Sequence, residues 1–278
     1  MGTGYSEGPG GKGSNQAIAA RRLGSGVLFI GCIGTDKFGD EAMSLWKSEG
    51  ISAGLVKRVT MHTGVALIVV KEGSGTNSIT IDPGANLELL PSDVEAAEGA
   101  IGGCGVILTQ LEIPPETAAA AARTGKAGGA VVILNPAPAR PSAELDLSSV
   151  DIITPNEPEF KVLTGTRNLR GGAKALLKKG PRTVVVTLGE RGAYVMTKDG
   201  SFRVPAPKVR AIDVTGAGDA FNGALAVALS EGEPLKQAVE FANLAGALTV
   251  TKKEVIPALP SRSDVELFRR TAVYAGQD

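Results

Sequence analysis

Residues 213–219 read Asp-Val-Thr-Gly-Ala-Gly-Asp, and an apolar run, Ala220–Leu229, begins immediately after them. Glycines let a backbone turn sharply and clear side chains from the first turn of a helix. The N–H groups of Gly216, Ala217 and Gly218 can then point at an anion, and the helix dipole adds partial positive charge there. Such a hole stabilises charge developing on a transferring phosphoryl group. Asp219 stands beside it, placed to take a proton from an attacking hydroxyl. A helix N-terminus favours the carboxylate, so a lowered pKa is expected for Asp219, with proton acceptance late in the transfer. An aspartate N-cap with structural glycines is the competing explanation. Neither accounts for the second acid, Asp213.

Other polar residues stand at the ends of apolar runs: Glu112 after "VILTQL", Asn135 after "VVIL", Asn156 and Glu159 after "DIITP", and Thr187 to Gly192 after "TVVV". One polar residue after a strand is turn chemistry. Several at the carboxyl edge of an open α/β sheet, with the 213–219 loop, imply one shared site. Two generic nucleotide motifs fail. In "GPGGKGS", Gly13 follows Lys12 where a phosphate-binding loop needs Ser or Thr, and "GAGDAFNG" has the wrong spacing for a dinucleotide fingerprint.

The elements that must position these residues follow from the apolar pattern. Strands are expected at 26–34, 105–112, 130–138, 151–156 and 182–189, with helices at 40–50, 114–129 and 171–180. The strands lack polar alternation, as strands buried on both faces do. The expected fold is α/β, a doubly wound, mainly parallel sheet flanked by helices, in one domain over 1–278. Residues 63–86 read as a hairpin around Gly-Ser-Gly-Thr-Asn. With the glycine-rich N-terminus it is expected to form a small β-lid from about 1–11 and 59–86.

Composition excludes several classes of function. Lysine plus arginine equals aspartate plus glutamate, 29 each, so no footprint for nucleic acid or an anionic membrane is visible. Aromatics are 4%, too few for a stacking platform. Cys32 and Cys104 read as free thiols, His62 as a surface residue, and no zinc-binding spacing occurs. No transmembrane run or signal peptide is apparent, and a cytoplasmic location is expected.

The segments "GGKGSNQAIAARRLG" (10–24) and "DVTGAGDAFNGAL" (213–225) resemble the two signatures of the ribokinase-like (PfkB) carbohydrate kinases. The similarity extends through "TGVALIVV", "PGAN" (83–86), "QLEIP" (110–114), "NPAPA" (135–139), "DIITPNEPE" (151–159) and "TLGERG" (187–192). Within the family, "GGKGSNQA", "QLE" and "NPAPA" favour a ribose kinase over fructose, ketodeoxygluconate or nucleoside kinases. The resemblance implies ATP-dependent phosphorylation of a sugar, with Asp219 as base and Gly216, Ala217 and Gly218 as anion hole. It implies sugar contacts from Gly10, Gly11, Lys12, Gly13, Ser14, Asn15 and Glu112. Asn156, Thr187, Gly189, Glu190, Gly192, Gly218 and Asn243 would line the ATP site, and Asn156 and Glu159 would organise phosphates and Mg2+ through water. Asp213, with carbonyls of Thr215, Val250, Lys253 and Val255, would hold K+; one carboxylate plus carbonyls suits a monovalent cation. Pairing of lid strands into a homodimer is implied too.

Two departures from the family pattern stand out. The family begins with a strand ending Asn-x-Asp that grips the sugar, whereas this sequence starts "MGTGYSEGPGGKG". The expectation is a misassigned start with that strand missing, which would expose a neighbour's backbone edge. Second, Glu254 stands where relatives usually have glycine. If that position needs positive φ, Glu strains the loop. Ala258 replaces a frequent serine, so one K+ ligand is expected to be absent.

Overall fold

The computed structural model describes residues 4–70 and 77–274. Along the chain, α1 (Lys12–Arg22) leads into β1 (Leu28–Gly34), α2 (Lys37–Ser48) and β2 (Ser52–Val59). The hairpin strands β3 (Val65–Val70) and β4 (Asn77–Asp82) follow, then short helices α3 (Pro91–Glu95) and α4 (Glu98–Ile101). Next come β5 (Val106–Thr109), α5 (Pro115–Ala127), β6 (Val131–Leu134), β7 (Ile152–Ile153), α6 (Glu157–Thr164), α7 (Leu169–Leu177) and β8 (Thr183–Thr187). The chain continues with β9 (Ala193–Thr197), β10 (Gly200–Val204), α8 (Ala217–Ser230), α9 (Leu235–Thr249), α10 (Val255–Ala258) and α11 (Arg262–Arg269).

The main sheet has the order β10-β9-β8-β7-β6-β5, parallel from β5 to β8 and antiparallel from β8 to β10. Successive residues of its central strands enter opposite cores, as the pleat requires. Val132, Leu134, Val184 and Val186 pack with Ala118 and Ala122 of α5, Phe160 of α6 and Leu176 of α7. Ile133 and Val185 pack with Ile18 of α1, Leu225 of α8 and Leu244 of α9. This is the doubly wound, helix-flanked α/β fold that the continuous apolar runs imply.

The parallel strands of the main sheet, β5 to β8, are shorter than expected at their carboxyl ends. The ladder β5–β6 stops at Thr109 and Leu134, leaving Gln110 and Asn135 outside it. In contrast α2 begins earlier than expected, because Asp36 caps it by accepting the Gly39 N–H at 2.9 Å.

The expectation of one sheet needs correction. Strands β1 and β2 pair in parallel as a separate two-stranded unit, and no ladder joins β1 to β5 among the described residues. Both nonetheless lie on the same helices: Ile30 of β1 and Ile107 of β5 pack against the cluster of Val94, Ala97, Ile101 and Ala120. Leu28, Phe29 and Ile30, like Val106, Ile107 and Leu108, are only half-buried, whereas β8 is buried from Thr183 to Val186.

The lid is the antiparallel pair β3–β4. The expected contribution of residues 1–11 is absent from it: residues 4–11 form no strand and are exposed. They are polar and rich in Gly and Pro, with no apolar alternation to pin a register. Residues 1–3 and the hairpin tip 71–76 lie outside the described residues. The lid root is tied down by Asp36, which accepts from the Thr63 hydroxyl at 2.6 Å and the Thr63 N–H at 2.9 Å.

Candidate active site

Two helix N-termini meet at the site. Gly11, at φ 89, caps α1, and Gly216, at φ 81, caps α8. A Cβ on Gly216 would lie 2.6 Å from Val255 Cγ1, so glycine is required there by both backbone and space. The two helices approach closely because of Gly223. A Cβ there would meet Ala19 Cβ at 2.7 Å and the Gln16 carbonyl oxygen at 2.9 Å. This brings the polar face of α1 against the first turn of α8.

Asp219 is 7% exposed at that meeting point. Its Oδ2 accepts from Asn15 Nδ2 at 2.8 Å and its Oδ1 from Gln16 Nε2 at 3.0 Å. Burial raises its pKa above the usual carboxylate range, partly offset by the Asn15 and Gln16 amides and the Lys12 charge. The lowering expected from the helix terminus is therefore overruled by desolvation. The result is a stronger base than a solvated aspartate.

Asn15 Oδ1 is buried with no hydrogen-bond partner. A buried acceptor left open beside a base suits a hydroxylated ligand that can donate to it. Glu112 closes the other side, accepting the Lys12 backbone N–H at 2.8 Å. Burial raises the Glu112 and Glu159 pKa values, while the Lys12 charge lowers and the Asp219 charge further raises both. Thus Lys12, Glu112, Glu159 and Asp219 share one electrostatic neighbourhood.

Around the proposed anion hole, Gly218 is exposed and a Cβ on it would meet nothing within 4 Å. Open space stands in front of this N-terminus. The Ala217 N–H makes only a long 3.4 Å contact to the Val214 carbonyl. Asn156 caps α6 through a reciprocal pair with Glu159: Asn156 Oδ1 accepts the Glu159 N–H and Glu159 Oε2 accepts the Asn156 N–H, both at 2.8 Å. Thr187 lies beside them, its N–H on the Pro155 carbonyl at 3.0 Å. Gly189 and Glu190 continue into an exposed turn, and Gly192 takes φ 82 where a side chain would strike the Val204 carbonyl.

Several expected site residues are occupied elsewhere. Ser14 Oγ accepts from Trp46 Nε1 at 2.8 Å and is buried, so it anchors α2 and does not face the open site. Asn243 Nδ2 donates to the carbonyls of Val204 and Pro205 at 3.1 and 3.2 Å, tying α9 to the end of β10. Gly13 sits close to Gln110 Oε1 and the Phe29 ring, and Gly10 lies in open space. Asp213 Oδ1 accepts from the Thr215 N–H and hydroxyl at 2.9 and 2.7 Å. Burial works against its charge, but these donors and the Glu254 N–H hold its pKa below the usual range. The Val250 carbonyl already accepts from Ile212 and Asp213, and that of Val255 from Leu259. Glu254 has φ 63, the one non-glycine residue at positive φ among the described residues. The strain expected at this position is present.

Sequence reasoning passed over Gln16 and Gln110 at the site, and over the buried pair Thr154 and Asn222 behind it. The signal for Gln16 was a polar amide leading directly into the apolar run Ala17–Ala20. Asn222 is 1% exposed, accepting from the Thr154 hydroxyl at 2.6 Å and donating to the Gly218 carbonyl at 2.8 Å.

The chain resembles known proteins along nearly its whole length. A ribokinase from Haemophilus influenzae is 40% identical over 265 residues, covering 93% of this chain and 86% of that protein. A deoxyribokinase from Salmonella typhi is 41% identical over 263 residues, covering 91% and 85%. The structure of an Arabidopsis thaliana ribokinase complexed with ribose and ATP matches with a TM-score of 0.83 at 33% identity, covering 93% of this chain and 86% of that one. The model of the pfkB family of carbohydrate kinases matches residues 2–262, and the chain belongs to that family.

Proposed function

We propose that this protein transfers the γ-phosphoryl group of ATP to a hydroxyl of a pentose, D-ribose in the first instance, giving D-ribose 5-phosphate. The observation that carries the reading is the buried, basic Asp219 at the open N-terminus of α8, beside the unpartnered Asn15 Oδ1. The relatives are a ribokinase, a deoxyribokinase and a ribokinase holding ribose and ATP, which supports a pentose acceptor.

In this reading Gly11, Lys12, Asn15 and Glu112 hold the sugar hydroxyls, and Asp219 Oδ2, on the Asn15 side, faces the acceptor. As the hydroxyl oxygen bonds to phosphorus, its proton passes to Asp219, and ADP leaves with the electrons of the broken bond. The N–H groups of Gly216, Ala217 and Gly218 stabilise the phosphoryl oxygens. The Thr187–Gly192 turn borders the nucleotide, while Asn243, its amide spent on the Val204 and Pro205 carbonyls, holds α9 to the end of β10.

Among the described residues no group of three or more acids, histidines or cysteines is placed to hold a metal ion by itself. Asn156 and Glu159, whose carboxylate lies in the electrostatic neighbourhood of Asp219, would hold Mg2+ through water, and the ion would neutralise charge on the nucleotide phosphates. A monovalent cation such as K+ would be held by Asp213 and the carbonyls of Thr215 and Lys253. The Val255 carbonyl accepts one N–H and keeps a lone pair for the ion, while that of Val250 already accepts two; no step is routed through the ion.

Among the described residues no helix is long and apolar enough to cross a membrane. The lid exposes Val65, Leu67 and Val69 on one face and Ile68 and Ile81 on the other, so an apolar surface for pairing lids in a homodimer remains when one face covers the sugar.

The test is an ATP-consumption assay with ribose, 2-deoxyribose, fructose and adenosine, on wild type and Asp219→Asn. Turnover with ribose that collapses in the variant supports the reading. Preference for 2-deoxyribose gives the second reading, favoured by the 41% identity to the deoxyribokinase. Preference for adenosine or fructose, or full activity in the variant, overturns it.

A further inference from the structure

Gln16 lies on α1 with 1% of its surface exposed, between the sheet and the first turn of α8. Its Nε2 donates at 3.0 Å to Asp219 Oδ1 and at 3.0 Å to Asn135 Oδ1. Its Oε1 accepts from Gln110 Nε2 at 2.5 Å. Asn135 Nδ2 in turn donates to the Thr154 backbone carbonyl at 3.1 Å.

The polarity of this chain is fixed by its anchor. A backbone carbonyl can only accept, so Asn135 must turn its NH2 toward Thr154 and its Oδ1 toward Gln16. Gln16 then must turn its NH2 toward Asn135. An amide NH2 has two protons, and here it has two acceptors: Asn135 Oδ1 and Asp219 Oδ1. Gln110, donating to Oε1, holds the same orientation from the other side. The amide that faces Asp219 is therefore a donor by construction, and its rotation is blocked at three points.

We propose that Gln16 is a positioning residue for the phosphoryl transfer: it locks Asp219 Oδ1 with a fixed donor, keeps the carboxylate ionised in a buried place, and so leaves Oδ2 to the acceptor hydroxyl. This rests on the assignment of Asp219 as base. A hydrogen bond to the charged form of an acid favours that form, and burial opposes it. The other charged groups around Asp219 are Lys12 of α1, Glu112 after β5 and Glu159 of α6. Lys12 favours the carboxylate, while Glu112 and Glu159 disfavour it. Gln16 is the neutral donor on the core side of the acid.

The experiment compares wild type, Gln16→Leu and Gln110→Leu by kinetics and by NMR titration of the 13C-labelled Asp219 carboxyl, which needs no turnover. Thr154→Val serves as the control, since it removes the Thr154–Asn222 contact without touching Gln16. In Gln16→Leu the Asp219 pKa should rise by about one unit. The acid limb of kcat should move up with it, kcat should fall about tenfold or more, and the KM for sugar should stay within about threefold. Gln110→Leu should shift the same readouts less, in the same direction, and it keeps the test alive if Gln16→Leu does not fold. Thr154→Val should lower the melting temperature and leave the Asp219 pKa in place. An unmoved Asp219 pKa in both glutamine variants overturns the proposal. An equal shift in Thr154→Val also overturns it, because the effect would then be general loosening. If wild type turns over no sugar, the kinase reading fails while the carboxyl titration still decides the role of Gln16.

Discussion

Asp213 and Asp219 flank the same glycine turn, yet the protein builds their surroundings differently. Asp219 is buried, its donors are side chains of a core helix, and its pKa is raised. Asp213 is half-buried, its donors come from its own loop and from strained Glu254, and its pKa is lowered. One acid is held as a base by close packing of α1 on α8. The other is held ionised by local turn chemistry. Geometry fixed by the core tolerates little change, and geometry fixed by loops can be altered without loss of the fold.

The largest effect expected lies at the buried acid. Asp219→Asn should lower kcat by about 10²–10⁴-fold, the usual worth of a positioned base, with a small change in sugar KM. In wild type, kcat should rise with pH as Asp219 ionises, and its acid limb should fall above about pH 4, the value of a solvated aspartate. A limb at or below that value would mean that burial does not govern this acid.

The same contrast decides what could be read from the sequence. The helix-flanked sheet was legible because β6 and β8 are apolar throughout, and double burial leaves that mark. The glycine turn was legible as a helix N-terminus, but an N-cap explained it equally well until the resemblance to the kinase family gave Asp219 a role. The direction of the Asp219 pKa was not legible, since it depends on burial by α1, distant in sequence. Ser14 and Asn243 read as site residues by position in a motif, but only packing reveals that Trp46 and the end of β10 claim them. The division between β1–β2 and β5–β10 was hidden for a similar reason. Apolar runs announce strands, while pairing is a long-range property. Glu254 was the reverse case: the family pattern, with glycine usual at that position, pointed to a positive φ, and a side chain there brings the strain.

The packing of α1 on α8 can be attacked directly. Gly223→Ala places a methyl against Ala19 and the α1 backbone and should cost about 1–3 kcal/mol, read by denaturant unfolding. Because the shift separates Gln16 and Asn15 from Asp219, activity should fall more than stability alone explains. An unchanged midpoint would show that the helices have room to spare.

A smaller effect is expected at Glu112, half-buried at that end, whose carboxylate accepts the Lys12 N–H. Glu112→Gln keeps an acceptor for that N–H and removes a half-buried charge. Sugar KM should rise about tenfold, the cost of a weakened hydrogen bond to a charged group. Stability should move the other way. The folded-state pKa is raised, so ionisation of Glu112 penalises the fold as pH climbs through that pKa, and the penalty is absent below the unfolded value. The variant should therefore melt higher than wild type at pH 7, with the gain vanishing toward pH 4. A gain that persists at pH 4 would point to packing and not to charge.

The smallest effect is reserved for the loop end. At φ 63 and ψ 149, Glu254 occupies a region that costs a residue with a Cβ about 1–3 kcal/mol. Glu254→Gly removes that strain but loosens the unfolded chain, which takes back about 0.5–1 kcal/mol. A net gain of about 1 kcal/mol in unfolding free energy is expected. The Glu254 N–H survives the change, so Asp213 keeps its third donor and the loop keeps its path. Turnover of the pentose should then stay within about twofold, well under one factor of ten per 1.36 kcal/mol. A rise in KM for ATP or a new dependence on K+ over Na+ would instead tie the strained loop to the nucleotide, and the two ends of the site would no longer be separable.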